Sequence, residues 1–103
     1  MFDLRQENER DRVRDKTRIA ELLREYMLRP AEQRAPFLVE IRLRKGVTWN
    51  GHVMAGGLII EGARPLSAAT TDSETTFTFT NGDSNYSRPI GSANLADIEF
   101  IME

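Results

Sequence analysis

Residues 39–53 read VEIRLRKGVTWNGHV, and this stretch decides the fold that we expect. Apolar and polar residues alternate in its first half, as in a strand with one buried face. A lysine-glycine pair then predicts a tight turn. The second half predicts another strand over residues 47–55, in which Gly51 marks a sharp bend. The stretch is typical of the curved strand pair of a small β-barrel.

Further strands are predicted behind this pair. Residues 58–61 form a short apolar third strand, whereas residues 63–74 have no consistent period and are expected to be a surface loop. The Asn-Gly dipeptide at residues 81–82 predicts a hairpin turn between two alternating segments. Residues 91–95 predict a turn before the last strand, at residues 97–102. The apolar side chains expected to face inward are Val39, Ile41, Leu43, Val47, Trp49, Val53, Phe77, Phe79, Ile98 and Phe100.

An N-terminal helix is predicted over residues 1–29, because residues 3–29 lack proline and glycine and are rich in Arg, Glu, Leu and Ala. Its back half has an apolar stripe that is expected to pack on the barrel or on a partner helix. The stripe comprises Ile19, Leu22, Leu23, Tyr26 and Met27. The front half is polar all round and is expected to project towards another subunit or protein. Residues 30–36 contain two prolines and predict a linker, which leaves residues 37–103 for the barrel.

The composition is that of one small domain. The chain has 103 residues and no cysteine, so disulfides and Cys-based zinc sites are excluded. No apolar run is long enough for a signal peptide or a membrane span, and we expect a cytoplasmic protein. The net charge of −2 does not by itself mark a nucleic-acid binder. Residues 1–45 nevertheless hold 12 basic and 9 acidic residues, against 2 and 7 in residues 46–103.

Candidate contact residues therefore lie mainly in the basic first half. Arg42, Arg44 and Lys45 occupy the polar side of the first barrel strand and its turn. Tyr86 and Arg88 pair a ring with a guanidinium and are candidates for stacking on a base or a peptide. His52 is the single histidine and makes no metal site alone, no hydroxyl is paired with an activating base, and no phosphate loop or cofactor motif is present.

The opening stretch resembles the first motif of the Sm and Sm-like family. The family's alternating apolar residues, two glycines and final apolar residue correspond to Val39, Ile41, Leu43, Gly46, Trp49, Gly51 and Val53. The resemblance implies a five-stranded barrel, a ring of subunits and RNA as ligand. SH3-like and Tudor-like barrels produce a similar pattern. The Asp and the Met-Asn pair that RNA-binding members usually carry in the following loop are absent from residues 54–58.

The sequence thus predicts a mainly β protein with an N-terminal α-helix and a small five-stranded Sm-like or SH3-like barrel. We expect a non-enzymatic, oligomeric binding module with RNA as the leading ligand class, without cofactor, metal or membrane association. The alternative is a structural or inhibitory interaction protein, of the kind found in viral or mobile-element genes, that docks through its charged helix. A small-molecule site between subunits is a third alternative.

Overall fold

A computed structural model describes residues 12–29, 39–81 and 89–103. The elements in chain order are strand β1 (Arg12–Val13), helix α1 (Lys16–Leu28), strands β2 (Val39–Leu43), β3 (Val47–Trp49), β4 (His52–Met54), β5 (Leu58–Thr71), β6 (Glu74–Asn81) and β7 (Pro89–Asn94), a 3₁₀ turn (Leu95–Asp97) and strand β8 (Ile98–Met102). The predicted mainly β composition with a helix is confirmed. The predicted linker and the predicted contacts Tyr86 and Arg88 lie outside the described residues.

The strands form one large sheet and one hairpin. Six antiparallel strands follow the order β1-β8-β2-β5-β6-β7, and β3 and β4 pair separately. In the described residues no ladder joins β1 to β7, so these strands make an open sheet and not the closed five-stranded barrel that the sequence predicts. The strand count differs because the predicted second strand is a separate hairpin and because residues 12–13 add a strand to the sheet.

Helix α1 packs its apolar stripe against the core face of the sheet. Ile19, Leu22, Leu23 and Tyr26 are buried there, and Met27 is half-buried against the same cluster. The sheet side of the cluster includes Ile41, Leu43, Ile60, Phe77, Phe79, Ile98 and Ile101. The sequence predicts that the stripe packs either on the barrel or on a partner helix. In the structure it packs on the sheet of the same chain. Burial of these side chains at roughly 1.5–3 kcal/mol each makes this contact the main tie between helix and sheet.

The helix begins later than predicted. Arg12 and Val13 form β1 opposite β8, where the sequence predicts continuous helix. Asp15 is the N-cap, and its carboxylate accepts a hydrogen bond from the main-chain N–H of Arg18 at 3.3 Å. Val13 is the one apolar residue in this polar stretch, and pairing with Ile101 half-buries it against the core. Tertiary pairing thus overrides a helical propensity that had no apolar stripe to support it.

Strand β5 is far longer than the predicted third strand. It runs through the segment that we expected to be a surface loop, because β6 pairs with it from Ala63 to Thr71. The register shifts between Pro65 and Ser67, which marks a bulge in the ladder with β6. Strand β2 begins at Val39, opposite Ala63, so Pro65 lies beyond the ladder between β2 and β5. This bulge is the reason why apolar residues do not recur at a constant spacing in this segment.

The predicted second strand is instead the hairpin β3–β4. Asn50 and Gly51 have φ angles of 52° and 84°, and Trp49 lies opposite His52. Two successive residues with positive φ are what a two-residue hairpin turn of this kind requires, and Asn-Gly favours it. Val53, predicted to face inward, is therefore 70% exposed. The Asn-Gly dipeptide that predicts a turn at residues 81–82 also occurs at residues 50–51, and there it determines the turn between β3 and β4.

The hairpin is held to the large sheet at Gly91. Residues 91–94 belong to strand β7 and do not form the turn that the sequence predicts. A Cβ atom at Gly91 would lie 2.3 Å from Cζ2 of Trp49, so the indole occupies the space of a missing side chain. The side-chain amide of Asn50 donates to the carbonyl of Ile90 at 2.9 Å. Glycine is thus required at this position by close packing.

Candidate functional site

Two guanidinium groups lie over the ring of Phe100. The guanidinium carbon of Arg12 is 4.9 Å from the ring centre and that of Arg14 is 5.2 Å from it. Both distances are within the range of attractive cation–π contacts. Arg12 belongs to β1, Arg14 follows it, and Phe100 belongs to the neighbouring strand β8. We call the surface formed by Arg12, Arg14, Arg42 and Phe100 the arginine face.

A bulge in β8 turns Phe100 away from the core. Arg42 lies opposite Phe100 and Leu43 opposite Ile98, so Glu99 has no partner on β2. The extra residue shifts the alternation, and both Ile98 and Ile101 face the core. Phe100 lies outside the core cluster and is only 8% exposed beneath the two guanidiniums. The burial predicted for Phe100 is therefore confirmed, but the residue lies outside the core cluster, because the prediction assumed unbroken alternation from residue 98 to 102.

Arg42, a predicted contact residue, lies on the arginine face. It is opposite Phe100 on one side and opposite Ile59 of β5 on the other. Its Nε is 4.0 Å from a carboxylate oxygen of Glu99, beyond hydrogen-bonding distance, and its side chain is 28% exposed. Ile59 beside it is 46% exposed. A long ion pair at a partly exposed position contributes little, so the guanidinium keeps donors for an external anion.

Arg44 and Lys45, also predicted contacts, have a different setting. The Nε of Arg44 donates to the Asp97 carboxylate at 2.6 Å, and Nη1 donates to the Lys45 carbonyl at 3.1 Å. The main-chain N–H of Arg44 also donates to the Asp97 carbonyl at 2.9 Å. Arg44 therefore ties the end of β2 to the 3₁₀ turn, and its charge is balanced within the chain. Lys45 is exposed in the turn that follows.

A cleft of about 430 Å³ lies between the tip of the β5–β6 hairpin and the 3₁₀ turn. Lys16 lines it, but the ammonium donates to the main-chain carbonyls of Ala96 and Ile98. Glu74 and Asp97 line the same cleft. Two carboxylates beside a cation that is already engaged disfavour phosphate. The cleft is therefore a poor candidate for the anionic ligand class that the sequence suggests.

The other aromatic and ionisable candidates divide between core and surface. Trp49 is buried in the core cluster, and His52 is exposed in the hairpin. Burial and the Glu103 carboxylate raise the pKa of Tyr26, against the opposing effect of Arg29.

Within residues 12–29, 39–81 and 89–103 no cluster of three metal-ligating side chains is found. No helix in the same part of the chain is long and apolar enough to cross a membrane.

Sequence reasoning missed Arg12 and Arg14 as site residues. The three residues Arg12, Val13 and Arg14 alternate polar, apolar and polar, which is the pattern of a short strand with one buried side chain. This signal was hidden within a longer segment of high helical propensity. Phe100 was missed because its partners come from the other end of the chain.

No protein-family model, curated protein or solved structure matches this chain.

Proposed function

We propose that the protein is a non-enzymatic, cytoplasmic binding module that binds RNA through the arginine face. The observation that carries the proposal is that Arg12 and Arg14 lie over the ring of Phe100, while Arg42 is the partner of Phe100 in the ladder between β2 and β8. Guanidinium groups offer several N–H donors in a plane and suit phosphate oxygens. The arrangement brings together cations from β1, β2 and the segment before α1, so it depends on the folded sheet.

The ring of Phe100 has a positioning role in this proposal. Stacking on a ring engages the face of a guanidinium and not its N–H edge. Two arginines held in this way lose less side-chain entropy on binding than two unrestrained arginines. Glu99 works against the site because its carboxylate lies beside Arg42 and repels phosphate. Its replacement by glutamine is expected to strengthen binding.

The finer fold that we infer is a partly open form of the small Sm-like or SH3-like barrel. Five adjacent strands, β8-β2-β5-β6-β7, and the bulge that bends β5 between Pro65 and Ser67 support it. We infer that copies associate through sheet edges, because β7 ends the sheet in the described residues and a strand edge presents unpaired main-chain groups. Light scattering tests this inference: a ring or other homo-oligomer is expected, and a monomer at working concentration would remove it.

Fluorescence anisotropy with a labelled single-stranded RNA tests the proposed function. The test variant is Arg14→Gln with Arg42→Gln, and the control is Arg18→Gln with Arg24→Gln. Each variant removes two charges, but Arg18 and Arg24 are exposed on α1, which covers the opposite side of the sheet. The slope of log affinity against log salt should be about −2 for three phosphate contacts on a single strand.

The two variants separate a site from a general charge effect. We expect the arginine-face variant to lose about tenfold in affinity or more and to reduce the salt slope by roughly one unit. The helix control should lose far less. Equal losses in both variants, or no binding of the unmodified protein at low salt, would exclude the arginine face as an RNA site. Thermal unfolding followed by the single tryptophan checks that both variants are folded.

A further inference from the structure

We propose that Asn50 is a site of spontaneous deamidation, and that its conversion loosens the β3–β4 hairpin from strand β7. Asn50 and Gly51 are the two turn residues of this hairpin, and both are exposed to water. An asparagine followed by glycine is the dipeptide in which this reaction is least hindered, because glycine has no side chain. The modification does not depend on RNA binding.

The reaction uses only the chain itself and water. The main-chain nitrogen of Gly51 attacks Cγ of Asn50, a bond forms between these atoms, and the bond from Cγ to Nδ2 breaks. Nδ2 leaves as ammonia with the proton of the Gly51 N–H, and a succinimide ring remains. Water then opens the ring at one of its two carbonyls, which gives aspartate or isoaspartate. A Cβ atom at Gly51 would meet no non-neighbouring atom of the described residues within 4 Å, so the ring has space.

In the folded protein a contact with β7 restrains Asn50. Its side-chain amide donates to the main-chain carbonyl of Ile90 at 2.9 Å, and the donating nitrogen is the one that has to leave. In the described residues no ladder joins the hairpin to the large sheet, so this bond and the packing of Trp49 on Gly91 help to hold it there. An element held by few contacts opens locally at a lower free energy than the whole domain unfolds. Deamidation should therefore proceed from the opened hairpin.

Both products remove the contact with Ile90. A carboxylate has no hydrogen to donate, so aspartate at residue 50 would set its oxygens against the carbonyl oxygen of Ile90. Isoaspartate also carries the main chain through the side-chain carbon, which lengthens a turn that is built from two residues. The change is irreversible because ammonia is released. Deamidation therefore converts a docked hairpin into a loosened one as the protein ages.

The test follows the full chain during incubation at mildly alkaline pH, with peptide mapping by mass spectrometry and the fluorescence of the single tryptophan. The test variant is Asn50→Gly and the matched control is Asn81→Gly. Each removes the asparagine from one Asn-Gly dipeptide and leaves Gly-Gly, which also suits a two-residue hairpin turn. We expect aspartate and isoaspartate to accumulate at residue 50, with a red shift of the tryptophan emission. The shift should develop in Asn81→Gly and not in Asn50→Gly.

Two further measurements test the restraint and its loss. Unfolding in urea should speed conversion at residue 50 by about tenfold or more, because the contact with Ile90 is then absent. The Asn50→Asp variant should lower the Tm by roughly 2–8 °C, as expected for the loss of one hydrogen bond in a small domain.

Three results would overturn the proposal. The first is no conversion at residue 50 of the folded protein while the unfolded chain converts, and the second is an equal rate in both. The third is a protein that is fully converted at residue 50 but keeps the Tm and the tryptophan emission of the starting material. A red shift that develops with time in Asn50→Gly would likewise assign the loosening to another residue.

Discussion

Ile101 and Phe100 are neighbours on β8, yet they lie in regions of opposite character. Ile101 is fully buried in the core cluster, where apolar surface from α1 and the sheet meets. Phe100 lies on the outer side of the same strand beneath two guanidiniums. The first region is stabilised by removal of apolar area from water, the second by attraction between a ring and cations. A one-residue bulge at Glu99 sets which of these two adjacent residues faces the core, so local ladder geometry decides which residue builds the fold and which builds the site.

The largest effect is expected from truncation on the core side. Ile101→Ala removes buried methyl groups between β8 and its neighbours and should lower the free energy of unfolding by roughly 2–5 kcal/mol. Urea denaturation followed by the fluorescence of Trp49 measures this change in the free energy of unfolding. RNA affinity, measured at a temperature where the variant is folded, should change little. A loss of affinity in the folded variant would show that the two faces are not independent.

The next largest effect is expected where the hairpin β3–β4 meets the sheet. Gly91→Ala places a Cβ atom against the indole of Trp49, and such overpacking costs about 1–3 kcal/mol. The matched experiment is a double-mutant cycle with Trp49→Phe, followed by circular dichroism because the tryptophan is lost. The smaller ring should accept the alanine at lower cost. An equal cost in both backgrounds would mean that the contact with Trp49 is not what requires glycine.

A smaller effect is expected on the outer side of β8. Phe100→Leu keeps an apolar side chain but removes the ring, and it should cost about 1 kcal/mol of stability through the lost cation–π contacts. RNA affinity should fall as well, since Arg12 and Arg14 lose the surface that orients them. Denaturation and anisotropy titration on the same variant give both numbers. Unchanged affinity would contradict the positioning role of the ring and leave the arginines acting as independent charges.

The smallest effect is a loss of stability that occurs only at alkaline pH, and it concerns Tyr26 on the core side. Burial and Glu103 raise its pKa above the value of 10.0 expected in the unfolded chain, so the folded state holds the phenol proton more tightly. The contribution to stability is therefore complete below pH 10 and is lost as pH rises through the raised pKa. Tyr26→Phe should reduce the alkaline loss of stability measured by urea denaturation between pH 8 and pH 11, and Tyr86→Phe serves as the control. If the two variants lose stability alike, Tyr26 is not the group responsible.

Much of the core was predictable from residue pattern. The strict alternation of Ile41 with Leu43 and of Phe77 with Phe79 placed these residues inside, and the helical spacing of Ile19 and Leu23 did the same for α1. Each of these patterns is local, since it depends only on the period of one strand or one helix. The mainly β fold with a helix followed from such patterns directly.

The errors arose where one residue changes the phase of a strand or where a distant partner selects the structure. Glu99 shifts the alternation in β8, and Asn50 with Gly51 ends a strand that the apolar pattern would have continued. Pairing with β6 makes a strand of residues 63–71, which have no clear period of their own. The contacts of Arg12 with Phe100 join residues 88 positions apart, and a single sequence does not show which pairs meet.

The sequence by itself determined a small, cysteine-free, mainly β chain with a basic first half, an amphipathic helix and an inward set of apolar residues. Only the tertiary structure decided that β1 pairs with β8, that Arg44 is engaged by Asp97 while Arg42 stays on the arginine face, and that Phe100 supports cations outside the core. The physical reason is that composition and period act along the chain, whereas bulges, ion pairs and ring contacts depend on which strands lie side by side.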